Sequence, residues 1–128
     1  MPLPVTAAYA AVLALLVVVL GVNVTMHRVK LRVPIGDGGN AEMRRMIRLH
    51  GNAVEYIPLA LVLMAIYEIN GGWHGALNAA GIALIVGRLM QTWDMWGNDV
   101  AGFGRKGGQS LTWLTIAALA VLNVAKLV

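Results

Sequence analysis

From Pro2 to Met26 the chain carries no charged residue. At a rise of about 1.5 Å per residue, a helix of that length is longer than the roughly 30 Å hydrocarbon core of a bilayer. A run of this kind is either a membrane span or a cleaved leader. No basic residue precedes it and it is too long for the apolar centre of a leader, so a retained spanning helix is expected. The remaining composition agrees. With 59% hydrophobic and 12% charged residues over 128 positions and a mean hydropathy of +0.71, the chain has too little polar surface to cover itself in water. It has room for about four spans of ~20 residues with short connections. The expected fold class is therefore an all-α membrane protein, a four-transmembrane-helix bundle forming a single domain over residues 1–128.

Punctuation along the chain divides the helices. His27, Arg28, Lys30 and Arg32 end the first span, and the stretch from Val33 to Asn40, with Pro34 and three glycines, reads as a loop. Glu42 sits in the first turn of the second helix, where the helix dipole favours a carboxylate, and Pro58 is expected to kink that helix. Asn70, Gly71 and Gly72 make a tight turn, and the Gly-rich segment from Gly97 to Gly108 reads as a second loop. The expected helices run over 3–30, 41–69, 73–96 and 109–127. Arg28, Lys30, Arg32, Arg44, Arg45 and Arg48 cluster around the first loop, and Arg105 and Lys106 lie in the later one, whereas the central turn has no cation. By the positive-inside rule both loops face the cytoplasm and both termini are periplasmic, if the membrane is a bacterial inner membrane.

An ionisable group in hydrocarbon costs about 3 kcal/mol or more on insertion scales, so Glu55, Arg88 and Asp94 each need a partner or a function. At helical pitch Arg48, Asn52, Glu55 and Tyr56 share one face of the second helix, a cation, an amide, a carboxylate and a phenol suited to a polar ligand. The alternative is structural, with Arg88 paired to Glu55 across the second and third helices. Zero Cys excludes thiolate chemistry from the protein itself. The histidines lack metal-ligand spacing, and the only serine, Ser110, has no base nearby in sequence. Trp73, Trp93, Trp96 and Trp113 read as an interfacial belt. Despite a net charge of +4, the cations sit at span ends where they meet lipid headgroups, so no nucleic-acid partner is expected.

The phrase Arg48-x-His50-Gly51-Asn52-x-x-Glu55-Tyr56-x-Pro58 resembles the second-helix signature of MAPEG, the membrane-associated proteins in eicosanoid and glutathione metabolism. Gly36-Asp37-Gly38-Gly39, Gly87-Arg88-Leu89 and Gly108-x-x-Leu111-Thr112-Trp113 are similar to the bacterial branch of that family. The resemblance covers nearly the whole chain. It implies a homotrimer with glutathione as co-substrate, held between subunits near the cytoplasmic side. Arg28, Arg48, Asn52, Glu55, Tyr56 and Arg88 then fall on glutathione-binding positions, and Arg105 matches the arginine assigned to thiol activation. Gln91 and Met95 stand where eukaryotic members carry tyrosines.

That reading makes chemical sense. Glutathione has two carboxylates and an ammonium, which several arginines and one glutamate complement. A thiol of pKa near 8.5 is mostly protonated at neutral pH, and a guanidinium beside the sulfur favours the nucleophilic thiolate. The expected activity is that of a glutathione-dependent transferase or peroxidase acting on hydrophobic electrophiles or lipid hydroperoxides that enter from the bilayer. Two rival functions fit the same features: a non-catalytic lipid- or glutathione-binding protein of the same family, and a small four-span proton-coupled multidrug exporter. Against the exporter, the first span is uncharged.

Overall fold

The computed structural model describes residues 1–98 and 100–127. Among them the chain forms four α-helices and no strand: α1 Pro4–Leu31, α2 Ala41–Ile69, α3 His74–Gly97 and α4 Phe103–Ala125. Short connections join the helices into successive antiparallel pairs. The 32–40 loop and the connection from α3 to α4 lie at one end, and the 70–73 turn lies with the start of α1 and the end of α4 at the other.

The first helix shows how little of its surface the fold needs. Only Thr6, Leu13 and Leu20 are buried, one residue every seven, while Leu15, Val18, Val19 and Val22 face outward. A single heptad seam contacts the bundle and the rest is suited to lipid. At its end Arg32 takes a left-handed conformation with φ 56°. There the Arg28 guanidinium donates to the carbonyls of Val33 (3.2 Å) and Gly36 (2.8 Å), fastening the loop. The second helix begins at Asn40, whose side chain accepts from the Met43 amide at 3.0 Å. Its buried stripe, Met43, Met46, Leu49, Ala53, Ile57, Ala60 and Met64, recurs at three- and four-residue steps, and from Leu49 onward it forms the core with Leu13, Leu77, Leu84 and Leu119. Pro58 lies inside this helix without ending it.

The fourth helix starts six residues earlier than the 109–127 expected from sequence. Gly104 and Gly108 look like loop formers, but their role is to let two helices touch. A Cβ on Gly104 would sit 2.6 Å from the Met90 carbonyl oxygen, a Cβ on Gly87 would sit 2.9 Å from the Gly108 carbonyl oxygen, and a Cβ on Gly108 would collide with the Gly87 carbonyl. This is close packing through small residues, which membrane helices use in place of a hydrophobic driving force. It makes α3 and α4 the most intimately packed pair.

By length and apolarity α1, α2 and α4 are able to cross a membrane. The third helix fails on composition because Arg88, Gln91 and Asp94 dilute it, yet all three are buried and its outer face carries Ile82, Val86, Leu89 and Trp93. Two buried carboxylates cap helices across the fold. Asp94 accepts from the Arg105 amide in the first turn of α4 (2.7 Å) and from the Asn98 side chain (3.1 Å). Glu68 accepts from the amides of Val5 (2.9 Å) and Thr6 (2.8 Å) at the start of α1. Each thus satisfies amides that helix geometry leaves without partners, at the positive end of the dipole. Asp94, one of the three charges flagged from sequence, is accounted for here without a ligand.

Two outcomes follow. Gly108→Ala should push α3 from α4 and lower stability by about 1–3 kcal/mol, measured as unfolding of the purified protein in detergent. Glu68→Leu should leave the α1 amides without an acceptor and cost about 1–3 kcal/mol, with faster proteolysis near the N-terminus as the local readout.

Candidate functional site

The face predicted on the second helix exists. Arg48 donates from Nη2 to Asn52 Oδ1 (2.8 Å) and from Nη1 to Glu55 Oε1 (3.4 Å), with the two charged side chains 54% and 52% exposed. Glu55 therefore pairs with Arg48 on its own helix, and the cross-helix pair with Arg88 is not formed. Tyr56, one residue on, turns inward, and its ring lies 6.0 Å from the Arg88 guanidinium.

At the loop-bearing end, α2, α3 and α4 part to leave a cavity of about 410 Å³. Asn52 and Tyr56 line it from α2, Gln91 and Met95 from α3, and Arg105 and Gln109 from α4. Lys106, Ser110 and Trp113 complete the α4 wall. Because α4 begins early, Trp113 stands well inside the helix and at this cavity, not at a span end; Trp73, Trp93 and Trp96 do lie at helix ends and are exposed. Beyond Met95 and Arg105, which line both, is a second cavity of about 260 Å³ bordered by Ala41, Arg44, Arg45 and Arg48. Four arginines and the amino-terminal turns of α2 and α4 thus converge, and both guanidinium charge and helix dipole favour an anion there. Arg44 also bonds Asp37 in the loop at 2.7 Å, which, with the Gly39 amide, holds that carboxyl below its ordinary pKa.

Of the residues expected to act together, Arg48, Asn52, Glu55, Tyr56 and Arg105 are assembled at this end. Arg105 donates from Nη2 to the Asn98 carbonyl at 2.8 Å while its buried Nε has no partner among the described residues. Arg28 is not part of this assembly within one chain. It lies at the end of α1, beside a separate depression of about 390 Å³ with Thr25, Arg32 and Pro34. Arg88 is 2% exposed and does not line the cavity, so it stands behind Tyr56 and the α4 wall.

Sequence reasoning missed several participants. Arg44 and Arg45 read as span-end anchors, and only the meeting of the α2 and α4 starts makes them a site. Gln109 read as the first residue of a helix when it lies in its second turn. Glu68 went unremarked because it borders the Asn70-Gly71-Gly72 turn, where a charge needs no explanation.

The sequence model of the MAPEG family matches residues 6–125. Inner membrane protein YecN of Escherichia coli strain K12 is 39% identical over 120 residues, covering 94% of this chain and 90% of that protein. The protein of the same name from an O6:H1 strain of Escherichia coli is similar to the same extent.

Proposed function

The chain belongs to the MAPEG family, and from that membership we propose that it is a glutathione-dependent membrane transferase or peroxidase acting on hydrophobic electrophiles or lipid hydroperoxides. The observation that carries this reading is the pair of adjoining cavities, one bordered by Arg44, Arg45, Arg48 and Arg105 and the other by Tyr56, Met95 and Trp113. An anionic, hydrophilic peptide and an apolar acceptor need such neighbours. In this proposal Arg48 holds a glutathione carboxylate, Asn52 and Tyr56 bond the peptide, and Glu55 takes the ammonium. Arg105 faces the sulfur and favours its thiolate. In transfer the sulfur forms a bond to an electrophilic carbon and the leaving group departs with the bonding electrons. In peroxide reduction the sulfur attacks the distal oxygen, the O–O bond breaks, and an alcohol is released after protonation; a second glutathione then displaces water to give the disulfide.

All four helices span in this reading, α3 with its polar side turned inward. The relative's description as an inner membrane protein supports the same location here, and the cations around the two loops support periplasmic termini. A homotrimer is part of the proposal. Arg48 and Glu55 are half exposed on a helix whose neighbouring surface carries Val54, Leu59 and Val62. Hydrocarbon is a poor solvent for that ion pair, and a second copy over this face would cover it. Native mass spectrometry from mild detergent should show a trimer; monomers alone would remove this part of the proposal.

The decisive experiment is glutathione binding to the purified protein by calorimetry, followed by turnover with a nitrohalobenzene and with a fatty-acid hydroperoxide. Binding with turnover is expected, and a protein that binds no glutathione ends the reading. Arg48→Ala should weaken binding by about 10- to 100-fold, since its partner is charged before reaction as well as during it. Arg105→Ala should act mainly on turnover and raise the pKa of the bound thiol, because its interaction grows with the charge on sulfur. Ultraviolet thiolate absorbance against pH separates the two.

A further inference from the structure

Arg88 is buried between α3 and α4 with no carboxylate bound to it among the described residues. Its Nη2 donates to Thr112 Oγ1 at 2.5 Å and to Gln109 Oε1 at 3.4 Å, while Nε and Nη1 have no partner among those residues. The Thr112 hydroxyl spends its own proton on the Gly108 carbonyl (2.9 Å), so toward Arg88 it is purely an acceptor. Gln109 Oε1 also accepts from Gln91 Nε2 at 3.3 Å.

This arrangement orients Gln109. A guanidinium only donates, so the amide must present oxygen to it; the flipped amide would set its NH2 against a cation. With Oε1 held by Arg88 and Gln91, Gln109 Nε2 is left buried with no acceptor among the described residues. Gln109, Gln91 and Tyr56 all line the 410 Å³ cavity, and the Tyr56 ring is 6.0 Å from Arg88. At this point the wall thus holds one unsatisfied donor, Gln109 Nε2, backed by a positive charge with no carboxylate against it among the described residues. Both features are costly as they stand, and a bound acceptor of negative charge relieves both.

We propose that the Gln109 side of this cavity is an anion seat, oriented and charged by Arg88 from behind, and that it takes a soft monoanion, the thiolate sulfur in the reaction proposed above. The identity of that anion rests on the glutathione reading; the seat does not. Gln109 is the contact and Arg88 the positioning residue. Arg105, one helical turn before Gln109, lines the same cavity and flanks the seat.

Iodide is a soft anion that quenches indole fluorescence, and Trp113 lines the cavity, so the full-length protein in detergent supplies its own reporter. A saturable quenching component is expected in the wild type and should vanish in Trp113→Phe. Gln109→Glu should weaken it at least about tenfold, because a carboxylate there pairs with Arg88 from within and replaces the donor by an acceptor. Arg88→Lys should keep the seat within about threefold, whereas Arg88→Gln should lose it to the same extent as Gln109→Glu. Quenching that never saturates, or Gln109→Glu binding iodide like the wild type, overturns the seat. Equal losses in Arg88→Lys and Arg88→Gln overturn the role given to the charge. If Arg88→Gln does not assemble, Gln109→Glu decides alone, since its new pair with Arg88 stabilises the fold. Glutathione and S-methylglutathione complete the set: the wild type should prefer the free thiol, and Gln109→Glu should erase that preference. A wild type with a saturable iodide seat and no glutathione binding would sink the functional reading and leave the seat standing. Glutathione binding without an iodide seat would do the reverse.

Discussion

The polar interior of this bundle depends on how closely α3 and α4 approach at Gly87 and Gly108. A side chain at either position would meet the other's backbone carbonyl. Because the backbones touch there, the next residues along, Arg88 and Gln109, come within bonding reach, and Thr112 can accept from the guanidinium one turn further on. The same approach lets Asp94 reach the Arg105 amide and start α4. Separation of the two helices would therefore leave a cation, a carboxylate and two amides without partners together, in a medium that supplies none.

The other end of the bundle solves a related problem by different means. The first helix is nearly featureless, with a single seam of buried residues, so packing alone specifies its position weakly. Glu68 removes that freedom by binding the first amides of α1, and Lys126 reaches the Gly71 carbonyl at 3.0 Å to tie the end of α4 to the same turn. Both ends are thus closed by charged side chains on backbone groups, whose directionality supplies the register that apolar contact between smooth helices lacks.

Both cavities of the candidate site lie at the loop-bearing end, where the chain's cations gather. Basic residues flank both connections at this end, and the starts of α2 and α4 add their dipoles at the same level. Cations at the helix ends and the two helix dipoles thus combine in a setting that favours an anion. What distinguishes it from a simple basic rim is its apolar neighbour, since Met95 and Trp113 open beside Arg105 instead of water.

Much of this was legible in residue order. The uncharged stretch after Pro2, the turn at Asn70-Gly71-Gly72 and the recurrence of Arg48, Asn52, Glu55 and Tyr56 at helical spacing are local properties, and local periodicity is conserved when a chain folds. Those residues alone determined an all-helical membrane protein, three of its four helix starts and the polar face of the second helix. Tertiary structure decided the remainder. Glycine is ambiguous in one dimension, because the absence of a side chain permits both a loop and a close helix contact; only the presence of α3 against Gly104 and Gly108 resolved it in favour of a helix from Phe103. Charges are ambiguous in the same way. Glu55 met Arg48 on its own helix and Arg88 met two uncharged acceptors, since an ion's partner is set by distance through the fold, which spacing along the chain does not encode.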